Sequence, residues 1–184
     1  MVTYIIIGVA ALIVILFICS CYIKAPSNMS FIISGLSKEP RVLVGRGGWS
    51  IPGLERVDKL FLGQVSIDVR TENPVSTQDF ILCTCDGVCK VAVMNDPAGM
   101  RIAARHFLNY SPEKIAEQIK DTLQGNLKEI IGKQTLQLIA RERNSFSEQV
   151  LGTAGKDMAE LGLTILSFNL QNISDKQGLI ETLG

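Results

Sequence analysis

Residues 80–94 read FILCTCDGVCKVAVM, and this stretch decides the fold class. Every second position carries a small or apolar side chain, at Ile81, Cys83, Cys85, Gly87, Cys89, Val91 and Val93. Side chains of a β-strand point alternately to its two faces, so these residues share one face. We therefore predict a strand over residues 80–94, with this face packed in a core.

The three cysteines of this strand raise the question of a metal site. Structural zinc takes four ligands at close spacing, whereas Cys83 and Cys85 are two residues apart on an extended strand. We therefore interpret Cys83, Cys85 and Cys89 as core residues, because free cysteine packs as a small hydrophobe. The chain has five cysteines, an odd number that excludes a complete intrachain disulfide framework and favours a reducing compartment.

Shorter strands are predicted upstream, at residues 29–34 and 41–44, followed by one longer strand at 57–69 with a buried face. The motif Gly45-Arg46-Gly47-Gly48 suggests a phosphate-binding loop. It lacks the Gly-Lys-Ser/Thr ending, however, and Pro52 follows instead of a helix. We interpret this motif as a tight turn that needs positive φ.

Downstream the apolar period changes to that of helices. A helix is predicted at residues 97–108, with Met100, Ala104 and Phe107 as its apolar face. Another begins at the N-cap Ser111 and ends near Gly132, with apolar residues at Ile115, Ile119, Leu123, Leu127 and Ile130.

The last part of the chain holds one more helix and a closing strand. The pattern Ser145-x-x-Glu148 predicts a capping box at the start of a helix that carries Phe146, Val150, Ala154, Met158 and Leu161 and ends at Gly162. A strand at 163–170 follows, and Ser174 begins a short final helix. Strands, then helices, then one strand indicate an α+β fold.

The N-terminus carries a candidate membrane anchor. Residues 1–23 contain no Asp, Glu, Lys, Arg or His. A helix over them would rise on the order of 34 Å, enough to cross a hydrocarbon core of about 30 Å. A buried core helix rarely runs so long without a polar face. We predict a transmembrane helix over residues 2–23.

Other interpretations of this segment are weaker. A cleaved signal peptide, or a lipoprotein box at Ile18-Cys19-Ser20-Cys21 with Cys21 lipidated, needs a basic region before the apolar run, and none precedes Ile5. A shallow re-entrant hairpin is a further alternative. Lys24 is the first flanking charge, so the positive-inside rule predicts a single-pass protein of the cell membrane with a cytoplasmic body. Cys19 and Cys21 are candidates for S-acylation, or they simply face lipid or a partner helix.

The sequence gives little support to an enzymatic function. His106 is the only histidine, and no motif of an activated nucleophile accompanies it. Asp79 and Asp86 fall on opposite faces of the predicted strand, and Arg141-Glu142-Arg143 is interpreted as a solvated turn. Eighteen basic and 18 acidic residues give no net charge, which argues against nucleic-acid binding. We predict no catalytic, cofactor-binding or metal-binding residues.

Several motifs together resemble the SPFH (stomatin, prohibitin, flotillin) superfamily, and its flotillin branch in particular. They are Phe31-Ile32-Ile33-Ser34-Gly35, Arg41-Val42-Leu43-Val44-Gly45-Arg46-Gly47-Gly48, Ile51-Pro52 with Glu55-Arg56, Thr77-x-Asp79, Asp86-Gly87-Val88, Lys156-Asp157-Met158-Ala159, and residues 165–175 with Asn169-Leu170-Gln171-Asn172-Ile173.

The resemblance implies an SPFH-type domain after the anchor: a membrane-near β-rich subdomain at 26–76, an α+β subdomain at 77–176, and the start of a C-terminal helix at 177–184. It implies a non-enzymatic scaffold that self-assembles, binds membrane lipids and organises microdomains and membrane-protein clients. The alternatives are a cage-forming regulatory subunit of a membrane protease and a membrane-tethered hydrolase using His106. Flotillin-like proteins continue into a long heptad-bearing helix, which this sequence does not show before Gly184, so it is a fragment or assembles differently.

Overall fold

The computed structural model describes residues 4, 8, 12, 15–16, 18–35 and 41–175. The chain divides into two compact units, Met1–Leu62 and Gly63–Gly184, called here the first and the second unit. The subdomain boundary predicted between residues 76 and 77 stays a prediction.

The first unit contains two small antiparallel sheets. Strand β1 (Tyr22–Lys24) pairs with β4 (Gly47–Trp49). Strand β2 (Met29–Ser34) lies between β3 (Arg41–Val44) and β5 (Arg56–Phe61). The bounds of β2 and β3 confirm the strands predicted at 29–34 and 41–44. Phe31 and Ile33 of β2 and Leu60 of β5 are buried.

Strand β1 changes the predicted extent of the membrane anchor. Tyr22 and Ile23 were placed in a helix, but they pair with Trp49 and Gly48 as extended backbone. Half of residues 2–23 lie outside the described part of the chain. Among the residues that the structure does describe, no helix is long and apolar enough to cross a membrane.

The single strand predicted at residues 57–69 is wrong, since two strands occupy this run. Strand β5 ends at Phe61 and pairs with β2, whereas β6 (Val65–Arg70) pairs with β8 (Leu82–Val93). In β5 the buried residues are Asp58 and Leu60, at even positions, whereas β6 buries Val65, Ile67 and Val69, at odd positions. The alternation in the sequence therefore does not form one continuous buried face, and the two strands differ in their long-range partners, β2 and β8.

The sheet of the second unit is built around β8. Strands β6 and β7 (Val75–Ser76) pair with one side of β8, and β9 (Leu163–Asp175) pairs along the other. The predicted core face is confirmed, because Cys83, Cys85, Cys89, Val91 and Val93 are all buried. The predicted strand began too early, at residue 80, since residues 80 and 81 belong to the turn before β8.

Four helices of the second unit are described: α1 (Pro97–Phe107), α2 (Pro112–Gly132), α3 (Leu136–Arg141) and α4 (Arg143–Glu160). Helix α2 agrees with the prediction. The hydroxyl of Ser111 accepts a hydrogen bond from the backbone N–H of Lys114, and all five predicted apolar residues are buried. In α1 the buried residues are Gly99, Ala103 and Phe107. Phe107 is therefore confirmed as part of the apolar face, whereas the predicted Met100 and Ala104 lie one position beyond the buried Gly99 and Ala103.

Three further predictions about the C-terminal half are corrected. Ser145 does not cap a helix, because α4 already begins at Arg143 without a side-chain cap. Helix α3 was not predicted, and only Glu142 separates it from α4, so the charged turn is a single residue. Ser174 lies in β9 opposite Thr84 instead of beginning a helix. Gly162, by contrast, has φ +74°, which confirms it as the residue that ends α4.

Candidate functional site

In the first unit, two aromatic side chains pair where the apolar N-terminal segment ends. Tyr22 and Trp49 lie opposite each other in the β1–β4 pair, with ring centroids 5.9 Å apart in an edge-to-face arrangement. They are nevertheless 54% and 57% exposed. Gly47 makes room for this pair, because a Cβ atom there would collide with the Tyr22 ring. Tyr22 and Trp49 are called the aromatic pair below.

Further apolar side chains are exposed along the same segment of chain, at Ile51 and Leu54. The turn that carries them is fixed, because the Glu55 carboxylate accepts hydrogen bonds from the Ile51 N–H and the Arg41 guanidinium. Lys24 and Arg46 add exposed positive charges. Aromatic, aliphatic and cationic groups of this kind are typical of a surface that meets the interfacial region of a bilayer.

The two candidate acylation sites differ in accessibility. Cys19 is exposed, whereas Cys21 is only 7% exposed. The carbonyl oxygen of Cys21 accepts a hydrogen bond of 2.8 Å from the N–H of Ser50, which holds this residue at the start of the β1–β4 pair. An acyl chain can therefore reach the Cys19 thiol but not the Cys21 thiol without local opening.

The cysteines of β8 lie in the core of the second unit. Burial raises the pKa of Cys89 to about 11. The pKa of Cys85 is also raised, first by its hydrogen bond with Cys83 and then by burial. Both thiols are therefore protonated near neutral pH and chemically unreactive. Within the described residues, no group of three or more Cys, His, Asp or Glu side chains is arranged to hold a metal ion.

The residues considered for catalysis are separated by the structure. His106 is exposed in the last turn of α1, with its ring 6.0 Å from that of Phe107. Asp79 is not on the strand, as predicted, but in the turn before it. Burial raises the pKa of Asp79, but hydrogen bonds from the Thr77 hydroxyl and the Leu136 N–H lower it more, so the net shift is downward. By accepting the hydrogen bond from the Leu136 N–H, the Asp79 carboxylate caps the N-terminus of α3.

Comparison with known proteins assigns the chain to a family. The family model described as SPFH domain / Band 7 family matches residues 23–184. The chain belongs to the SPFH domain / Band 7 family.

Flotillins are among its relatives. It is 28% identical to Flotillin-1 of Homo sapiens over 159 residues, which cover 85% of this chain and 37% of that protein. It is 29% identical to the flotillin-like protein FloT of Bacillus subtilis (strain 168) over 144 residues, which cover 78% of this chain and 28% of that protein. The chain thus spans about a third of the length of these relatives.

The motifs that carried the resemblance have structural roles in this SPFH domain. In Lys156-Asp157-Met158-Ala159, the Asp157 carboxylate accepts a 2.9 Å hydrogen bond from the Asn126 amide and so joins α4 to α2. In Asp86-Gly87-Val88, a Cβ at Gly87 would lie 2.7 Å from the Phe168 ring, so glycine lets β9 pack closely.

Sequence reasoning missed the aromatic pair, although a signal for it was available. Tyr22 follows directly on the apolar run, and Trp49 is the only tryptophan of the chain. Both residue types concentrate at membrane interfaces. Their pairing across 26 intervening residues, however, depends on the register of β1 and β4, which no local pattern contains.

Proposed function

We propose that this chain is a membrane-anchored, flotillin-like scaffold that self-assembles and organises membrane microdomains and membrane proteins. Membership of the SPFH family and similarity to flotillins over most of the chain support this proposal. The partners are membrane lipids, further copies of the same chain and membrane-protein clients.

The aromatic pair is the observation that carries the proposal. Each ring leaves roughly half its surface in water, on the order of 100 Å², which corresponds to about 2–3 kcal/mol of burial free energy per side chain. A stable monomer gains nothing from exposing both rings beside an apolar segment. At a bilayer the same rings enter the interfacial region, where indole and phenol groups are favoured.

The N-terminal segment supplies the anchor in this proposal. Residues 2–21 would hold the chain in the cell membrane by a single pass, with the body in the cytoplasm as the first flanking cation, Lys24, predicts. Cys19 is the acylation site if the chain is lipidated, since its thiol is the accessible one.

Extraction into mild detergent tests the scaffold against the tethered enzyme. The scaffold predicts particles much larger than a monomer, and membrane foci in cells expressing a fluorescently tagged chain. His106→Ala should leave particle size, foci and cellular function unchanged, because substitution of an exposed side chain shifts stability by only about ±0.5 kcal/mol. Monomeric extracts without foci would contradict the scaffold, and loss of function in a His106→Ala variant with normal foci would favour the enzyme.

A further inference from the structure

The zero net charge of the chain hides an uneven distribution between the two units. Residues 1–62 contain six Lys and Arg residues and three Asp and Glu residues, whereas residues 63–184 contain 12 and 15, respectively. The first unit, which carries the aromatic pair, is therefore formally positive, and the second is formally negative. Lys38 and Glu39 of the first unit lie outside the described residues, and their charges offset each other.

Both carboxylates that are described in the first unit are buried and paired with arginines. The Glu55 side chain is 5% exposed and pairs with Arg41, and the Asp58 side chain is 9% exposed and pairs with Arg56. Each ion pair is neutral as a whole, so neither carboxylate presents a negative charge to the surface. The exposed charge of the described first unit is therefore positive.

Two cations lie outside these ion pairs and next to the aromatic pair. Lys24 is exposed in β1, two residues after Tyr22, and Arg46 is exposed directly before β4. The N–H of Ala25 donates a hydrogen bond of 3.2 Å to the Arg46 carbonyl, which holds the two cationic residues at the same end of the β1–β4 pair. Among the described residues, neither forms an ion pair with a carboxylate. Lys24 and Arg46 are called the cationic pair below.

The glycine opposite Lys24 brings a hydroxyl group to this end of the β1–β4 pair. Gly47 is the register partner of Lys24, and a Cβ atom at Gly47 would collide first with the hydroxyl oxygen of Tyr22. The phenol hydroxyl therefore lies over Gly47, close to the cationic pair. Hydroxyl, ammonium and guanidinium groups all donate hydrogen bonds, and phosphate and carboxylate oxygens accept them. This combination of donors and positive charge is suited to an anion.

We propose that this end of the β1–β4 pair binds the headgroups of anionic phospholipids, with Lys24 and Arg46 as its cationic contacts. The inference rests on the membrane contact proposed above and names the class of lipid. Two residues of a strand span about 7 Å, and each polar layer of a bilayer is about 5–8 Å thick. Cations this close to rings in the interfacial region reach the phosphate and carboxylate groups of lipids. Anionic lipids of the cytoplasmic leaflet match a body on the cytoplasmic side.

Quenching of Trp49 by brominated lipids tests this preference. The full chain is reconstituted into vesicles of phosphatidylcholine with a minor fraction of phosphatidylserine, and only one of the two lipids is brominated. Brominated phosphatidylserine should quench Trp49 at least about fivefold more strongly per mole than brominated phosphatidylcholine, because one basic side chain near an anionic surface contributes about this factor. The preference should fall as the salt concentration is raised, since exposed charges are then screened.

Double variants separate the effect of charge from a loss of fold. Lys24→Gln with Arg46→Gln should remove most of the preference, and the charge-preserving change Lys24→Arg with Arg46→Lys should keep it. The matched control, Lys90→Gln with Arg105→Gln, removes one lysine and one arginine from exposed positions of the second unit and should leave the preference unchanged. The emission of Trp49 in detergent should be the same in all of these variants, because the β1–β4 pair stays formed.

The outcomes distinguish lipid selection from membrane contact. Equal quenching by the two brominated lipids would overturn the selection and favour an acidic protein segment as the partner of the cationic pair, while the membrane contact stays intact. A preference that survives Lys24→Gln with Arg46→Gln would overturn the assignment to these two residues. If neither lipid quenches Trp49, the membrane contact of the aromatic pair is itself contradicted.

Discussion

The two units use their apolar residues in opposite ways. Among the residues that the structure describes, Leu60 is the only one of the largest fully buried side chains in the first unit, and the others, among them Phe107, Phe146 and Leu136, lie in the second. The first unit instead exposes the aromatic pair together with Ile51 and Leu54. The second unit thus stabilises itself with its own core.

This difference indicates what stabilises each unit. A small unit with three-stranded and two-stranded sheets buries little apolar surface by itself and is only marginally stable. Its exposed rings are best explained by an apolar phase outside the chain. The second unit buries most of its large apolar side chains in its own core, although Phe80 is 88% exposed.

The largest expected effect concerns the core of the second unit. Phe146 is 1% exposed in α4, so Phe146→Ala should reduce the free energy of unfolding by about 3–5 kcal/mol. The matched control is Phe80→Ala, which removes an exposed ring and should stay within about ±0.5 kcal/mol. Urea denaturation followed by circular dichroism measures both, since helices α1–α4 and both substituted positions lie in the second unit. Equal losses would contradict the division into core and exposed rings.

Much of this core was predictable, because its elements repeat a local period. The buried residues of α2 recur at helical spacing, and the buried cysteines of β8 alternate. What the sequence did not predict depends on distant partners. The break between β5 and β6 follows from pairing with β2 and β8. The pattern Ser145-x-x-Glu148 predicted the start of a helix wrongly, because α3 and α4 are separated by one residue.

The candidate site was less predictable than the core. The apolar run and Cys19 are visible in the sequence, but the aromatic pair requires the antiparallel register of β1 with β4.

Two glycine substitutions test how α1 packs against the rest of the second unit. Gly162→Ala should cost about 1–3 kcal/mol, because the residue has positive φ and a Cβ would collide with the α1 backbone. Gly152→Ala, in an open position within α4, should stabilise the unit by about 0.5–1 kcal/mol. Thermal unfolding of both variants gives the comparison, and a destabilised Gly152→Ala variant would contradict it.

Thiol reactivity compares the two units directly and without mutation. In the detergent-extracted chain at pH 7, Cys19 at the end of the proposed anchor should react with iodoacetamide before the thiols of β8 do, because it is exposed. Cys83, Cys85 and Cys89 should stay unmodified until the chain is unfolded, since they are buried and burial raises the pKa of Cys89 to about 11. Mass spectrometry of peptides measures the sites. Rapid modification of Cys89 in the native chain would show that the core is open.

Fluorescence of Trp49 tests the central claim, that the first unit meets the membrane with its aromatic pair. The chain has no other tryptophan, so the signal reports this position alone. On binding to phosphatidylcholine–phosphatidylserine vesicles, the emission should shift to shorter wavelength and be quenched by lipids brominated near the headgroup. A chain that sediments with the vesicles while its Trp49 emission stays unshifted and unquenched would contradict the claim.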